Sequence, residues 1–444
     1  MKPAKVGADD FTAAGLGEAE LGELPREPLP AEPAAAACVQ VGDEILFTWP
    51  AQTVEARLTH HREGGDGLRA ELTVCLGPAE IHWGQLNLAS TSSREAVVKK
   101  LVRIDQGLPW GPMLEHVCRV GARMLRAGEP VVCMMPAPRT GSGRDLIPKL
   151  LVRHETNLLF ADGGSGKSLL AICLAIAAGS GAGLPGIAPP LERVPVLYLD
   201  YESHLDEHQD RLAKLLAGAG LVDAPAIFYR AMTRPLAEDA PFIRTIISQH
   251  QVGLVILDSL TPGSGAEPDG ADAAVRTLTA LRSFTGVTRL ALAHVSKAGA
   301  EQRTGPTKPF GSVFVWNLAR SIWEVRSSQD EDTDELRVGL FHRKANGSRL
   351  LSHTALRFRF APDRILLAPI DLAQEPELAA RASLTQQITM ALAGGALTAE
   401  ELAAQINAPR VDSVAAKLRG LKARGTVLRL ENDDQGRGRW GLPA

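Results

Sequence analysis

The sequence predicts an α/β protein, with a mostly parallel sheet in a central domain, a small β-rich module before it and a helical domain with a β-hairpin after it. Two observations carry this prediction. Short apolar strands alternate with helical segments from about 145 to 367, which is typical of a parallel sheet with helices on both faces. A glycine-rich turn follows the first of these strands and leads directly into a helix. The predicted strands are 157–161, 194–200, 254–258, 290–294 and 321–325, with two later strands near 336–342 and 356–360.

Length and composition are those of a soluble multidomain protein. The 444 residues are 45% hydrophobic and 22% charged, and a chain of this length is expected to form about two to four domains. We predict a disordered tail at 1–37, a β-rich module with helices at 38–135, the α/β domain at 136–375 and the helical domain at 383–444.

Charge, hydropathy and cysteine content limit the partners and the compartment. Because the formal net charge is −3, any polyanion must be bound by local basic patches. The longest apolar stretch, 169–178, is too short to span a bilayer, so no membrane contact is predicted. Five cysteines without metal-ligand spacing predict a reducing, cytoplasmic environment.

The β-rich module has alternating apolar and polar residues at 53–58 and 68–74. The glycine-rich stretch 63–67 between them signals a hairpin. Helices are expected at 93–104 and 113–127, and the prolines and glycines of 136–143 indicate a linker. No chemistry is predicted for this module.

The turn after the first strand has the features of a phosphate-binding loop. Residues 163–168 read Gly-Gly-Ser-Gly-Lys-Ser, and small residues let backbone N–H groups and the positive end of the next helix face phosphate oxygens. Lys167 adds a charge for the β- and γ-phosphates, and Ser168 adds a hydroxyl ligand for Mg²⁺. Ala161 replaces the usual first glycine of the pattern, a mild departure at a strand end. The residues predicted to bind ATP are Asp162, Gly163, Gly164, Ser165, Gly166, Lys167, Ser168 and Leu169.

Carboxylate side chains lie at the ends of two further predicted strands. Asp258 fits the acid that binds the Mg²⁺ hydration shell, so Ser168 and Asp258 are the predicted metal ligands. Because Ser259 rather than a glutamate follows Asp258, the group that activates water must come from elsewhere. Glu202, at the tip of another strand, is the candidate. The alternative for Glu202 is a surface residue that caps the next helix.

Histidines in this domain have competing interpretations. His294 closes a strand where a polar residue can touch both the γ-phosphate and the following loop, so it is a candidate sensor of the nucleotide. The alternative is a core histidine with satisfied hydrogen bonds. His204 and His208 match the zinc motif H-x-x-E-H, but no third ligand is apparent, which favours a solvated helix face.

The motifs taken together resemble those of the RecA-type ATPases. Residues 145–365 are similar to the branch that contains the plasmid hexameric replicative helicase RepA and related phage ATPases. The motifs that carry this resemblance are 163–168, 198–202, 255–260, 294–297, 309–312 and 317–320. The resemblance implies a homo-oligomeric ring, often a hexamer, with ATP at subunit interfaces and single-stranded DNA in the central channel.

The same resemblance implies roles for particular cations. Arg320 matches the arginine finger that completes a neighbour's site, and Arg343 and Lys344 match a basic pair of hexameric helicases, here predicted to contact the nucleotide. DNA would be held by the loops 261–271 and 296–311. Since the first of these loops has acidic residues and no lysine or arginine, we predict DNA contacts from Lys297, Arg303 and Lys308 in the second.

The C-terminal segment looks like a winged helix. Three predicted helices, 383–392, 398–406 and 411–424, precede a hairpin of 426–431 and 437–442. Thr398 and Glu401 form a capping box at the second helix. Basic residues exceed acidic ones between 398 and 429, which suits phosphate contacts. The predicted DNA contacts are Arg410, Lys417, Arg419, Lys422 and Arg437, and the alternative is a domain that docks a protein.

These observations favour an ATP-hydrolysing ring that acts as a helicase or translocase on single-stranded DNA, with Lys167, Glu202, Asp258, His294 and Arg320 as the catalytic residues. Two other classes fit the same motifs. One is a DNA-binding regulatory ATPase, such as a helicase loader or recombination mediator, and the other is a nucleotide-dependent scaffold without DNA.

Overall fold

A computed structural model describes residues 36–41, 44–65, 67–127, 133, 144–260, 271–295, 306–309, 313–329 and 332–443. The chain divides into two compact units, Met1–Met135 and Pro136–Ala444. Nearly all of the predicted tail, and the predicted linker 136–143, lie outside the described residues. Within the described ranges, no helix has the length and apolar character needed to cross a membrane.

The first unit is an antiparallel sheet packed against two helices. Its strands follow chain order, and the predicted hairpin is confirmed by the pairing of the third strand with the fourth. Alternate residues face a core that includes Ile45, Phe47, Leu58 and Leu101. The elements are β1 (Ala37–Val41), β2 (Glu44–Trp49), β3 (Val54–Gly64), β4 (Gly67–Leu76), β5 (Ala79–Asn87), α1 (Thr91–Ile104) and α2 (Trp110–Ala127).

The second unit contains a sheet of nine strands. After the short pair β6 (Asp145–Ile147) and β7 (Leu151–Val152), its strands are β8 (Thr156–Ala161), β9 (Val196–Asp200), β10 (Ile227–Ala231), β11 (Leu254–Asp258), β12 (Thr288–His294), β13 (Ser321–Ser328), β14 (Glu335–Ala345), β15 (Thr354–Phe360) and β16 (Ile365–Ile370). The spatial order is β10-β9-β11-β12-β8-β13-β14-β15-β16. The first six strands are parallel, and β14, β15 and β16 continue the sheet antiparallel.

Helices cover both faces of this sheet, as the apolar runs predicted. α3 (Lys167–Ser180) and α4 (Leu205–Ala219) pack on one face, where Leu170 and Leu215 join the core. α5 (Leu236–Gln249), α6 (Ala271–Arg282) and α7 (Val313–Leu318) pack on the other, where Ile243, Leu278 and Val315 are buried. Since β8, β9, β11 and β12 run parallel, their carboxyl ends share one edge of the sheet.

The C-terminal segment has its own small core of Ile388, Leu402, Leu418 and Trp440. Its three-stranded sheet has the order β17 (Leu397–Thr398), β19 (Gly438–Gly441) and β18 (Leu428–Asn432). The predicted capping box at Thr398 is confirmed, and Ser383 forms a second one that the sequence analysis had not identified. The elements are α8 (Pro376–Ala379), α9 (Leu384–Ala393), β17 (Leu397–Thr398), α10 (Ala399–Gln405), α11 (Val411–Ala423), β18 (Leu428–Asn432) and β19 (Gly438–Gly441).

Candidate nucleotide site

The phosphate-binding loop lies between β8 and α3, at the carboxyl edge of the sheet. Gly164 and Gly166 have φ of +69° and +80°, a left-handed conformation that side chains disfavour. A Cβ at Gly166 would also lie 2.9 Å from Leu336 Cδ2. The Leu169 side chain is buried in the core, so only its backbone N–H, in the unpaired first turn of α3, is left for a phosphate oxygen. The loop therefore presents backbone donors at a helix N-terminus.

Lys167 is almost fully buried inside this loop. Its Nζ donates to the backbone oxygens of Asp162, at 2.9 Å, and Ala161, at 3.4 Å. Burial lowers the Lys167 pKa, while Glu202, Asp258 and Asp162 act in the opposite direction. These three carboxylates thus favour the charged form of the ammonium, which the backbone oxygens of the loop hold where phosphate oxygens are expected.

Asp258 meets the requirements of a magnesium ligand. It ends β11, is only 1% exposed, and accepts a 2.7 Å hydrogen bond from Tyr198 Oη at Oδ2. Burial raises the Asp258 pKa, and hydrogen bonds from Tyr198 and Ser168 oppose that rise. Its other oxygen, Oδ1, is buried and has no hydrogen-bond partner. A hydroxyl and a carboxylate with an unused buried oxygen form a donor set that fits Mg²⁺, which prefers oxygen ligands.

Glu202 lies two residues beyond β9 and faces the same edge. Its Oε1 accepts a hydrogen bond from Ser259 Oγ and is 3.2 Å from His294 Nε2. The hydrogen bond with His294 is the largest contribution that lowers the Glu202 pKa, and the bond from Ser259 adds to it against burial. Glu202 is therefore an ionised carboxylate at neutral pH. The structure joins the predicted base to the predicted sensor, a contact that the sequence did not reveal.

Asp200 positions Glu202 and was not singled out in the sequence. Its Oδ1 accepts hydrogen bonds from the backbone N–H groups of Glu202 and Ser203, at 2.9 and 3.2 Å. Its Oδ2 is 2.9 Å from His208 Nε2 and accepts a 3.1 Å bond from Tyr229 Oη. Burial raises the Asp200 pKa, but the hydrogen bonds from His208 and the two backbone groups bring it below its usual value.

The same contacts distinguish between the two interpretations of the H-x-x-E-H motif. His208 is buried against Asp200, whereas His204 and Glu207 are exposed at the start of α4. The described residues contain no group of three or more histidine, cysteine, aspartate or glutamate side chains that could hold a metal. His208 is thus a structural partner of Asp200.

Arg320 lies at the opposite edge of the sheet. It immediately precedes β13, and its backbone N–H donates to Thr156 O at 2.8 Å, at the amino end of β8. Ala161, where the phosphate-binding loop begins, is five residues further along β8, about 17 Å away at ~3.3 Å per residue. The half-exposed guanidinium has Nε 3.9 Å from Glu155 Oε2. Arg320 is therefore separated from the nucleotide site of its own chain.

Arg343 and Lys344 are both engaged by their own chain. Arg343 Nε is 2.6 Å from Glu324 Oε2, and its Nη2 donates to Arg381 O at 2.7 Å. Lys344 Nζ donates to the backbone oxygens of Trp316, Asn317 and Ala319. The contacts of both cations are with residues outside the phosphate-binding loop, and their contact with a nucleotide stays a prediction.

The residues predicted to bind DNA are placed in part. Lys297 and Arg303 lie outside the described residues, whereas Lys308 is described and exposed. In the C-terminal segment Arg410, Arg419 and Lys422 are exposed and Lys417 is half-buried. Arg437 is held in the hairpin turn by Asp433, with Nε 2.8 Å from Oδ2.

Part of this chain is similar in sequence to a known protein family. Residues 137–300 match the family model of the AAA domain. This match supports a P-loop ATPase in this part of the chain. The match ends within the segment after His294, and it covers the part of the chain that forms the parallel strands β8 to β12.

A KaiC-like protein from the hyperthermophilic archaeon Pyrococcus horikoshii OT3 is similar over 53% of this chain and 100% of its own, with 15% identity and a TM-score of 0.35. That score is too low to support an argument about shared function. No curated protein matches the sequence.

Proposed function

We propose that this protein is an ATP-hydrolysing, ring-forming helicase or translocase that acts on single-stranded DNA. The observation that carries the proposal is the convergence of Lys167, Ser168, Asp258, Glu202 and His294 at one edge of the sheet. A phosphate loop, a magnesium ligand and an ionised carboxylate joined to the candidate sensor are the parts that hydrolysis of a γ-phosphate requires.

The reaction assigns a task to each side chain. Lys167 and the backbone N–H groups of the loop hold the β- and γ-phosphates, since their positive charge faces the transferring group. When bound at Ser168 and Asp258, Mg²⁺ would neutralise part of the phosphate charge. Glu202, ionised and oriented by Ser259, accepts a proton from the attacking water. His294 connects that carboxylate with the end of β12, where the next segment begins.

The position of Arg320 favours assembly into a ring. The side chain is half-exposed at the amino edge of the sheet, whereas ATP would bind at the carboxyl edge. A head-to-tail contact between copies brings opposite edges together, and such heterologous contacts close into rings when the rotation allows. Arg320 would then supply positive charge to the site of the neighbouring subunit.

The DNA-binding part of the proposal rests on Lys308 and on the C-terminal segment. Three helices and a three-stranded sheet in the order β17-β19-β18 are the parts of a winged helix, in which α11 would be the recognition helix. Arg419 and Lys422 are exposed on α11 and free to reach phosphates.

Salt dependence separates the two DNA contacts. We expect Lys308→Gln to flatten the slope of log K against log[salt] for single strands by about 0.7, and Arg419→Gln with Lys422→Gln to flatten the slope for duplex DNA by about 0.9 per charge. Arg364→Gln is the control, because this exposed arginine pairs with Asp363 and is not among the predicted DNA contacts. An unchanged duplex slope in the α11 variant would make the winged helix a protein-docking domain.

Strand displacement on a forked DNA substrate tests the proposed function as a whole. The wild type should separate the strands only with ATP and Mg²⁺, and Lys167→Ala should lose both displacement and ATP hydrolysis because it lacks the main charge on the phosphates. ATP turnover that DNA stimulates without displacement would instead favour the regulatory ATPase. An ATP turnover rate that DNA does not change would favour the scaffold.

A further inference from the structure

A buried cluster of charged side chains lies directly behind the phosphate-binding loop, and the catalytic roles above leave it unused. Arg326 on β13 is 3% exposed and makes three contacts of 2.6 Å. Its Nη1 pairs with Asp162 Oδ2, its Nε with Glu324 Oε1, and its Nη2 donates to Thr307 Oγ1. One guanidinium therefore joins the phosphate-binding loop to two other parts of the chain.

Glu324 is the centre of this cluster and is fully buried. Besides Arg326 it pairs with Arg343 Nε at 2.6 Å, and it accepts hydrogen bonds from Thr307 Oγ1 at 2.6 Å and Thr307 N at 3.4 Å. Two carboxylates, Asp162 and Glu324, balance two guanidinium groups, Arg326 and Arg343. Buried ion pairs of this kind often contribute little net stability, so stability alone is a weak reason for the arrangement.

Two chains of contacts connect the segment 306–309 to the phosphate-binding loop. Thr307 is tied through Arg326 to the Asp162 carboxylate. Pro309 forms a β-bridge with Val295, and Val295 N donates to Ala161 O at 3.1 Å. Both connections end at residues 161–162, where β8 passes into the loop. Lys308, a predicted DNA contact, lies between them and is exposed.

Asp162 is the residue through which a bound nucleotide can act on this cluster. Its backbone oxygen accepts from Lys167 Nζ and from Ser165 Oγ, and its Oδ1 is buried without a partner. Phosphate oxygens compete with that backbone oxygen for the Lys167 ammonium, so the contacts of Asp162 differ between the free and bound states. A ligand shifts a conformational equilibrium only through such differential contacts.

We propose that Arg326 and Glu324 are positioning residues that couple nucleotide occupancy of the phosphate-binding loop to segment 306–309 and its exposed Lys308. The proposal deepens the proposed function and rests on it for the role of DNA. The coupling itself is a property of this chain with nucleotide alone.

Amide hydrogen exchange of peptides that contain residues 306–309 tests the coupling without DNA. In the wild type a non-hydrolysable ATP analogue should change the exchange rate by about 5-fold or more, the lower range of allosteric coupling. Thr307→Val removes the hydroxyl that bridges Glu324 and Arg326 but keeps the shape and the ion pairs. It should bind the analogue like the wild type and lose most of the nucleotide-dependent change.

A second variant and a control separate coupling from folding. Asp162→Asn weakens the ion pair between Arg326 and the phosphate-binding loop. It should also reduce the nucleotide-dependent change in the exchange rate of segment 306–309. Ser328→Ala removes a hydroxyl on the same strand that bonds Glu377 instead, so it should respond like the wild type. A segment that does not respond to nucleotide in the wild type, or responds fully in both variants, would overturn the proposal.

DNA enters only in the last comparison. Single-strand affinity should depend on nucleotide in the wild type and in Ser328→Ala, and much less in Thr307→Val. If no form binds DNA while the exchange response persists, the proposed function fails and the coupling stands. DNA binding with equal nucleotide dependence in Thr307→Val would overturn the coupling and leave the function.

Discussion

Glu202 and Asp258 are two carboxylates at one edge of a sheet with opposite pKa shifts. Hydrogen bonds from His294 and Ser259 lower the pKa of Glu202, whereas burial raises that of Asp258. An exposed, ionised carboxylate suits proton transfer from water, and a buried one with a free oxygen suits a cation. Their environments therefore divide the two roles that the sequence could assign only by analogy.

Glu202→Gln tests the role of the base. The amide keeps the shape of the side chain but cannot accept a proton, so ATP should still bind and hydrolysis should slow by about 10²-fold or more. Single-turnover hydrolysis together with equilibrium binding of ATP measures both. Glu207→Gln, an exposed glutamate on the next helix, is the control and should hydrolyse ATP normally. Normal hydrolysis by Glu202→Gln would place the base elsewhere.

His342 predicts a loss of stability in acid. Leu351 N donates to its Nδ1, so the proton is on Nε2, which donates to Ser321 Oγ at 3.1 Å. Burial lowers the pKa of His342 to about 4 from 6.5. The unfolded chain therefore takes up a proton first as pH falls, and stability present above pH 6.5 is lost progressively down to pH 4. The loss should reach about 3 kcal/mol at pH 4, at ~1.36 kcal/mol per pKa unit.

Denaturant midpoints between pH 7 and pH 4 measure this loss. His342→Gln should be less stable at pH 7 but should flatten the pH dependence. The exposed His204→Gln should keep the slope of the wild type. An equal slope in His342→Gln would show that this histidine does not titrate in the way its burial implies.

At the scale of elements, helix α4 packs against β16 so closely that one position excludes a side chain. A Cβ at Gly218 would lie 1.9 Å from Ile365 O, a backbone atom that cannot move aside. We expect Gly218→Ala to destabilise the protein by about 1–3 kcal/mol. Gly420→Ala, in α11 with nothing within 4 Å, should stabilise by about 0.5–1 kcal/mol. Thermal unfolding of both variants checks the pair, and a neutral Gly218→Ala would contradict the close approach.

The strands that hold the candidate site could be predicted from the sequence because burial on both faces requires apolar residues at nearly every position. β8, β9, β11 and β12 are buried on both faces and contain uninterrupted apolar runs, each followed by a polar residue at the carboxyl end. The sheet edges were not predicted. β10 and β16 are only partly buried, so their apolar patterns in the sequence are weak. The antiparallel pairing of β14 with β15 and of β15 with β16 is set by tertiary contacts.

Side-chain partners within the site were also beyond the sequence. The motifs indicate Lys167, Glu202 and Asp258, but the links of Asp200 to His208 and of Arg326 to Asp162 join residues up to 164 positions apart. No spacing rule connects such residues, because their proximity follows from the strand order. The hydrogen-bond partners of Arg343 and Lys344 were likewise not contained in their position near the end of β14.

At the scale of the whole molecule, the proposed ring makes a prediction about Arg320, which is separated from the nucleotide site of its own chain. Arg320→Ala should bind ATP nearly as the wild type does and lose about 10³-fold in turnover, the effect of a finger supplied in trans. A subunit with Glu202→Gln retains Arg320, and a subunit with Arg320→Ala retains Glu202. In a mixed ring, some interfaces therefore contain both intact groups.

The measurement that tests the account most directly is steady-state ATP hydrolysis of Glu202→Gln and Arg320→Ala, each alone and mixed in equal amounts, with co-assembly verified by light scattering. Each variant alone should be nearly inactive. Mixing should restore a substantial part of the wild-type rate, and single-stranded DNA should stimulate the restored activity. No recovery in verified mixed assemblies would contradict a site completed between subunits, and with it the proposed ring.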